Sequence, residues 1–122
     1  MAKSIYIAGP MSGIPEFNFP AFFAAEDRLS QEGWIVYNPA KKEHEEPLKA
    51  CGSFATGDVD ALSEKENGFD FKATYLWDIE HVIKADAIYM LKGWEKGAGA
   101  RGEHAVAMVM KRHNPEFEFI YE

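Results

Sequence analysis

Residues 4–10, SIYIAGP, and residues 34–39, WIVYNP, decide the fold. Each is a short β-branched and aromatic run that a proline-containing turn ends, which is typical of a buried strand. The residues between them predict a helix over 19–31, with Gly33 placed to end it. One face of that helix is apolar at every position but one: Phe19, Phe22, Phe23, Glu26 and Leu29. A strand, a helix and a strand in this order predict parallel pairing with a right-handed crossover.

The second half of the chain repeats this alternation. Helical spacing returns at Tyr75, Leu76, Ile79, Val82 and Ile83. We predict a third strand at residues 87–91, a helix from Glu103 to about Arg112, and a last strand at residues 117–121 on a sheet edge. This order predicts an α/β fold, a three-layer flavodoxin- or Rossmann-like sandwich around a mainly parallel sheet.

Residues 41–72 interrupt the pattern, because no apolar period runs through them. A stretch of this length inside a compact domain is often a lid or a binding loop. A disordered surface insertion explains it equally well, and an acidic docking surface for a protein partner is a third, weaker alternative.

The composition predicts a small soluble protein. The chain has 122 residues, enough for one domain over 1–122, and is 47% hydrophobic, as folded proteins are. A net charge of −7 argues against binding a nucleic-acid polymer, which requires clustered Lys and Arg. Cys51 is the single cysteine, and no apolar run is long enough for a membrane span. We therefore expect a cytoplasmic protein without membrane contact.

Two glycine-rich loops follow predicted strands, at the sheet edge where ligands bind in open parallel sheets. The first consists of Gly9, Pro10, Met11, Ser12 and Gly13. The second spans residues 93–102 and contains Gly97 and Gly99. Glycine lets backbone N–H groups approach an anion closely, although either loop is equally well explained as an ordinary turn. Residues 97–102 match G-x-G-x-x-G, but no acidic residue follows at the usual distance, so we predict no dinucleotide and no other cofactor.

Glu103 is the strongest catalytic candidate. It is predicted in the first turn of the last helix, where the helix dipole would keep its carboxylate ionised. An ionised, oriented carboxylate is suited to attack on an anomeric carbon. The alternative is a glutamate that only complements the dipole.

The other candidates have structural alternatives as well. Asp78 lies beside the apolar stripe of its helix, whereas Asp86 directly precedes the third strand, where an aspartate is often a cap. Tyr6 is by default a core aromatic residue. Trp94 either stacks on a base or packs against its own loop. The four histidines have no convincing metal spacing, so we predict no metal site.

These motifs, taken in order, resemble the nucleoside 2-deoxyribosyltransferase family, and most closely its small phage-type members. The resemblance covers nearly the whole chain outside residues 41–72. It rests on residues 5–10, on Asp78 followed by residues 85–88, on Gly93-Trp94-Glu95, and on Gly97-Ala98-Gly99 leading to Glu103 and Ala107.

The resemblance implies a flavodoxin-like homo-oligomer that hydrolyses or transfers at the N-glycosidic bond of a nucleoside or nucleoside 5′-monophosphate. It implies that Glu103 attacks the anomeric carbon, that Asp78 protonates or orients the leaving base, and that Tyr6 orients the nucleophile. In the nucleotide hydrolase branch, the loop at residues 9–13 receives the 5′-phosphate.

Two features depart from the family pattern. Arg101 and Ala105 occupy positions where relatives usually have glycine, and Arg101 is expected either to clamp a phosphate or to block the usual approach. The chain ends at Glu122, soon after the last predicted strand, so we expect it to lack the residues that relatives lend to a neighbouring site. A non-catalytic nucleotide-binding or sensing module is therefore the alternative function.

Overall fold

The computed structural model of the protein describes residues 2–41 and 71–122. The strands are β1 (Ser4–Ala8), β2 (Ile35–Tyr37), β3 (Ala87–Met90) and β4 (Glu118–Tyr121). The helices are α1 (Phe19–Gln31), α2 (Phe71–Lys84) and α3 (Ala98–His113). Short 3₁₀ turns at Pro15–Asn18 and Trp94–Lys96 lie between β1 and α1 and between β3 and α3.

The strands form one parallel sheet in the order β2-β1-β3-β4. In the register, Ile5 pairs with Val36 on one side and with Ala87 on the other. The predicted parallel βαβ unit is therefore confirmed, and β4 is an edge strand as expected. Because all the strands are parallel, their carboxyl ends lie along one edge of the sheet.

The side chains of β1 alternate between two cores. Ile5 and Ile7 pack with α1 on one face of the sheet. Tyr6 and Ala8 pack on the other face with residues of α2 and α3. All of β1 is buried, as expected for a central strand covered by helices on both faces. The structure thus confirms the three-layer α/β sandwich.

The prediction for α1 is confirmed at both ends. Its buried positions include Phe19, Phe22 and Leu29, and Gly33 follows the helix at φ 98°, a left-handed conformation that glycine adopts without strain. The start of the helix is tied to the preceding loop, because Asn18 Nδ2 donates to the Pro10 carbonyl at 3.0 Å.

The predicted start of the last helix is wrong. The helix α3 begins at Ala98, five residues before Glu103, so Gly99 and Gly102 lie inside it. Each helical glycine costs about 1 kcal/mol relative to alanine, which is why the sequence pattern indicated a loop. Tyr75 of α2 packs so closely on α3 that a Cβ at Gly102 would collide with its hydroxyl. This packing requires a glycine in the helix, and it outweighs the cost of that glycine.

The prediction of which α2 residues face the core is partly wrong. Leu76 and Ile83 are 69% and 50% exposed, whereas Asp78 and Val82 are buried. The helix therefore turns a carboxylate toward the sheet and leaves two large apolar side chains in solvent.

The prediction of an irregular segment at residues 41–72 falls mostly outside the described residues, as do the interpretations of His44 and Cys51. At its edges, Lys41 Nζ forms an ion pair with Glu26 Oε2 at 2.9 Å, and residues 71–72 already belong to α2. None of the helices in the described part of the chain has both the length and the apolar character needed to span a membrane.

Candidate active site

Three polar side chains from three elements meet between the sheet and the helices α2 and α3. Tyr6 comes from the middle of β1, Asp78 from α2 and Glu103 from α3, and they are 0%, 7% and 5% exposed. The charges of Glu103 and Asp78 raise the pKa of Tyr6, and the charge of Asp78 raises the pKa of Glu103, so the three groups form one electrostatic unit. We call these three residues the carboxyl cluster.

Local structure explains why these side chains converge. Tyr6 points to the α2 and α3 face because side chains alternate along a strand. Glu103 lies on the buried stripe of α3 between Ala100 and Ala107, three residues before it and four after it. The small alanine side chains let α3 lie close to the sheet, which brings Glu103 to Tyr6.

Burial dominates the electrostatics of the cluster. Desolvation raises the pKa of Glu103 well above its usual range, and the negative charge of Asp78 raises it further. Burial also raises the pKa of Asp78 to about 7. The pKa of the Tyr6 hydroxyl is raised by burial and then by the charges of Glu103 and Asp78, so this group stays protonated. The cluster therefore retains protons at neutral pH.

Two polar atoms of the carboxyl cluster have incomplete hydrogen bonding. The Tyr6 hydroxyl lies close enough to oppose the pKa shifts of both carboxyls. Nevertheless, among the described residues neither this hydroxyl nor Asp78 Oδ1 makes a regular hydrogen bond. A buried polar atom without a partner costs about 1–3 kcal/mol. Groups that bear such a cost beside two carboxyls are arranged for something other than stability.

The predicted reason for the reactivity of Glu103 is wrong. This residue lies in the second turn of α3, and the first turn contains no acidic residue. A helix dipole contributes about 0.3–1 kcal/mol and falls off within the first turn, so desolvation outweighs it here. Burial therefore favours the protonated form of Glu103 over the carboxylate.

The first glycine-rich loop follows β1 at the carboxyl edge of the sheet. Gly9 is required there, because a Cβ would lie 2.8 Å from the Cβ of Leu91. Met11 packs against the α1 core, whereas Ser12 and Gly13 are exposed. The backbone of Gly13 is left-handed, at φ 78°.

An open cleft of about 550 Å³ lies at the same edge. Its lining residues are Pro10, Ile14, Asn18, Lys92, Gly93, Glu95 and Lys96. None of the carboxyl cluster lines it. Pro10 lines the cleft and also lies close to Gly97, the residue before α3. A Cβ added at Gly97 would lie 3.1 Å from Pro10 Cα.

The second glycine-rich segment contains Arg101, which is exposed. Residues two positions apart in an α-helix are separated by about 200° around the helix axis. Arg101 and Ala105, each two positions from Glu103, therefore point away from the side of α3 that carries Glu103. The structure thus does not bring Arg101 to the cluster, whereas Lys92 and Lys96 are cations at the cleft that the sequence patterns did not single out.

Trp94 is already stacked within the protein. Its ring lies 4.3 Å from that of His104, with an angle of 25° between the planes. Of the two predicted roles, packing is the one observed, although the partner belongs to α3 rather than to the loop.

Asp86, a candidate site residue with a capping role as its alternative, lies at the opposite edge of the sheet from the glycine-rich loops. Its Oδ2 accepts hydrogen bonds from the Ser4 backbone N–H at 2.9 Å and from the Ser4 hydroxyl at 3.2 Å. It thus joins the amino ends of β1 and β3, which is the capping role that its position before a strand also predicted.

Tyr75 is the residue of this site that sequence reasoning took only for part of an apolar stripe. Its hydroxyl donates to the Gly99 carbonyl at 2.8 Å. Burial raises its pKa to about 12, with further contributions from the charges of Glu103 and Asp78. The available signal was its position three residues before Asp78, on the same face of α2.

Two histidines of the described residues, His81 and His104, take part in ring contacts. His81 stacks on Trp77 at 3.8 Å, and His104 Nε2 lies 2.9 Å from the Tyr121 hydroxyl. Within residues 2–41 and 71–122, no three His, Cys, Asp or Glu side chains are grouped closely enough to hold a metal ion.

Comparison with known proteins gives a family match. The family described as "Domain of unknown function (DUF4406)" matches residues 3–113. Neither the curated proteins nor the solved structures give a match. The matched range includes Tyr6, Asp78 and Glu103, so the carboxyl cluster lies within the family's domain.

Proposed function

We propose that this chain, which belongs to the family described as Domain of unknown function (DUF4406), acts on an N-glycosidic bond. The substrate is a nucleoside or a nucleoside 5′-monophosphate, and Glu103 is the nucleophile. The products are the free base and either the free sugar, where water is the acceptor, or a new nucleoside, where a second base is the acceptor.

The observation that supports this proposal most strongly is the buried pair of carboxyls, both with raised pKa values. Glycosidic chemistry needs one carboxyl that attacks or stabilises the anomeric carbon and one that protonates the leaving group. Burial and mutual repulsion keep the cluster from losing both protons near neutral pH. Asp78 and Glu103 together therefore supply one acid and one base at that pH.

For attack, the proton of the pair must lie on Asp78 and leave Glu103 as a carboxylate. Glu103 then forms a bond to the anomeric carbon, the bond from that carbon to the base nitrogen breaks, and the nitrogen takes the proton from Asp78.

The second half of the reaction reverses these roles. The Asp78 carboxylate accepts a proton from water, the resulting hydroxide oxygen bonds to the anomeric carbon, and the ester to Glu103 breaks. This step regenerates one proton on the pair. The unpaired Tyr6 hydroxyl is placed to donate to whichever carboxylate is ionised, which lowers the energy of each charged state.

The cleft favours a phosphorylated substrate. Lys92 and Lys96 outnumber Glu95 on its lining, and Pro10 comes from the loop at residues 9–13 that the family resemblance assigns to the 5′-phosphate.

The direct test is release of free base from a panel of deoxynucleosides and their 5′-monophosphates, followed by chromatography. We expect release with at least one monophosphate and a loss of at least about a thousandfold in Glu103→Gln. Glu32→Gln, on the exposed end of α1, is the matched control and should retain full activity. Absence of release across the panel, or release that persists in Glu103→Gln, would refute the proposal.

The protonated state of Glu103 also favours one alternative, a nucleotide-binding module without turnover. A neutral carboxyl is a hydrogen-bond donor and acceptor rather than a nucleophile. Calorimetry that shows saturable binding of a monophosphate, with the nucleotide recovered intact, would support this alternative.

We further propose that the protein self-associates through α2 and α3. Four large apolar side chains on these helices are at least half exposed: Leu76, Ile83, Met108 and Val109. Light scattering should give a mass above that of one chain for the wild type and a lower mass for Leu76→Lys with Met108→Lys. A wild-type mass of a single chain would exclude self-association.

A further inference from the structure

We infer that Tyr75 is a positioning residue that fixes the separation of Asp78 and Glu103 by tying α2 to the start of α3. The inference about geometry rests on the described contacts alone. Its consequence for turnover rests on the proposed function.

A single hydrogen bond joins the helical turn that carries Asp78 to the helical turn that precedes Glu103. The Tyr75 hydroxyl donates to the Gly99 carbonyl at 2.8 Å. In an α-helix, the carbonyl of residue 99 also accepts from the backbone N–H of residue 103, and a carbonyl oxygen can accept two hydrogen bonds. One oxygen thus receives the hydroxyl from the turn that carries Asp78 and the backbone N–H of Glu103 itself.

Two glycines form a slot for the Tyr75 ring. A Cβ at Gly99 would lie 3.4 Å from Tyr75 Cε1, and a Cβ at Gly102 would collide with the hydroxyl oxygen. The ring carbon Cζ is 3.7 Å from that second position, which is an ordinary contact. Only the hydroxyl therefore requires glycine at 102, inside a helix where glycine is otherwise unfavourable.

The hydrogen bond from Tyr75 to Gly99 persists in every protonation state of the two carboxyls. Burial raises the pKa of Tyr75 to about 12, and the negative charges of Glu103 and Asp78 act in the same direction. The hydroxyl consequently remains a donor while the pair below it gains or loses a proton. The two helices cannot move apart to relieve carboxylate repulsion without breaking this hydrogen bond.

The test compares Tyr75→Phe with Tyr89→Phe. The Tyr89 hydroxyl accepts from Arg28 at 2.6 Å on the opposite face of the sheet, so its removal also breaks a bond between two elements. Side-chain carboxyl titration by NMR should show the pKa of Asp78 falling by about one unit in Tyr75→Phe, because the helices separate and water enters. In Tyr89→Phe it should not change.

Gly102→Ala provides a second, independent measurement. Alone it should lower the midpoint of urea unfolding, because its methyl group collides with the Tyr75 hydroxyl. Combined with Tyr75→Phe, it should cause no further loss or even a gain, because the hydroxyl is gone and alanine favours the helix.

The outcomes separate this inference from the proposed function. Unchanged carboxyl pKa values in Tyr75→Phe would overturn it, and so would additive effects of Gly102→Ala and Tyr75→Phe. Shifted pKa values together with a non-additive pair would support it even if no base is released from any substrate. If base is released, Tyr75→Phe should lower kcat by about tenfold with little change in KM.

Discussion

Replacing Asp78 by asparagine should make the protein more stable at alkaline pH and leave its stability at acidic pH nearly unchanged. The two side chains have almost the same shape, but asparagine carries no titratable proton. The perturbation therefore removes the ionisation of one buried group without creating a cavity.

The magnitude follows from the pKa of Asp78, which burial raises from 3.8 to about 7 on folding. Between these values the folded protein holds a proton that the unfolded chain has released, so stability falls as pH rises. The contribution is fully present below about pH 4 and lost as pH rises through 7. Since each pKa unit corresponds to about 1.4 kcal/mol, the loss is about 4 kcal/mol. Glu103 acts in the same direction, because its pKa is raised as well.

The assay is urea unfolding of the wild type, Asp78→Asn and Asp27→Asn at several pH values from about 4.5 to about 8.5. Asp27 is exposed on α1 and serves as the matched control, so its variant should follow the wild type. We expect the curve of free energy against pH to fall less steeply in Asp78→Asn, with a gain of up to about 4 kcal/mol at the alkaline end. Parallel curves for the wild type and Asp78→Asn would refute the assignment of a buried, raised-pKa carboxyl at this position.

Three further substitutions, each measured by urea unfolding, distinguish residues of the candidate site from residues that support the fold. Tyr6→Phe removes a hydroxyl that makes no regular hydrogen bond in the described structure. At acidic pH, where both carboxyls are protonated, it should change stability by less than about 1 kcal/mol, and a loss above about 2 kcal/mol would contradict this. Gly9→Ala places a methyl group against Leu91 and should cost about 1–3 kcal/mol, whereas wild-type stability would exclude the close approach. Asp86→Ala breaks the bonds to Ser4 and should cost about 1–3 kcal/mol without altering base release per folded molecule, and a selective loss of release would return Asp86 to the site.

The first half of the fold is predictable because its signals are local. The β-branched run at Ser4–Ala8 ends at a Gly-Pro pair, and α1 has an apolar face and a glycine just beyond its end. The start of α3 is not predictable in this way. Gly99 and Gly102 favour a loop by intrinsic preference, and they lie in a helix because a tyrosine from another helix occupies the space above them.

The composition of the carboxyl cluster was predicted, but its electrostatics were not. Tyr6, Asp78 and Glu103 were each singled out from the sequence, and the structure brings them together. The ionised state expected for Glu103 depended on its position in the helix, which was wrong by a full turn. Burial depends on contacts between residues far apart in the chain, and spacing within one helix contains no information about it. Asp86, a candidate for which the sequence also offered a capping role, lies at the other edge of the sheet.

The sign of the stability change distinguishes a functional residue from a structural one in this protein. A side chain whose hydrogen bonds are complete, as for Asp86, stabilises the fold, and removing it lowers the free energy of unfolding. Asp78 is a buried carboxyl whose ionisation opposes folding, so Asp78→Asn should raise it at alkaline pH. If Asp78→Asn is stabilising there, and Asp78→Asn and Tyr6→Phe both slow base release, the cluster is retained for its chemistry rather than for the fold. If both destabilise the protein at every pH, the cluster is part of the core, and the proposed reaction loses its main support.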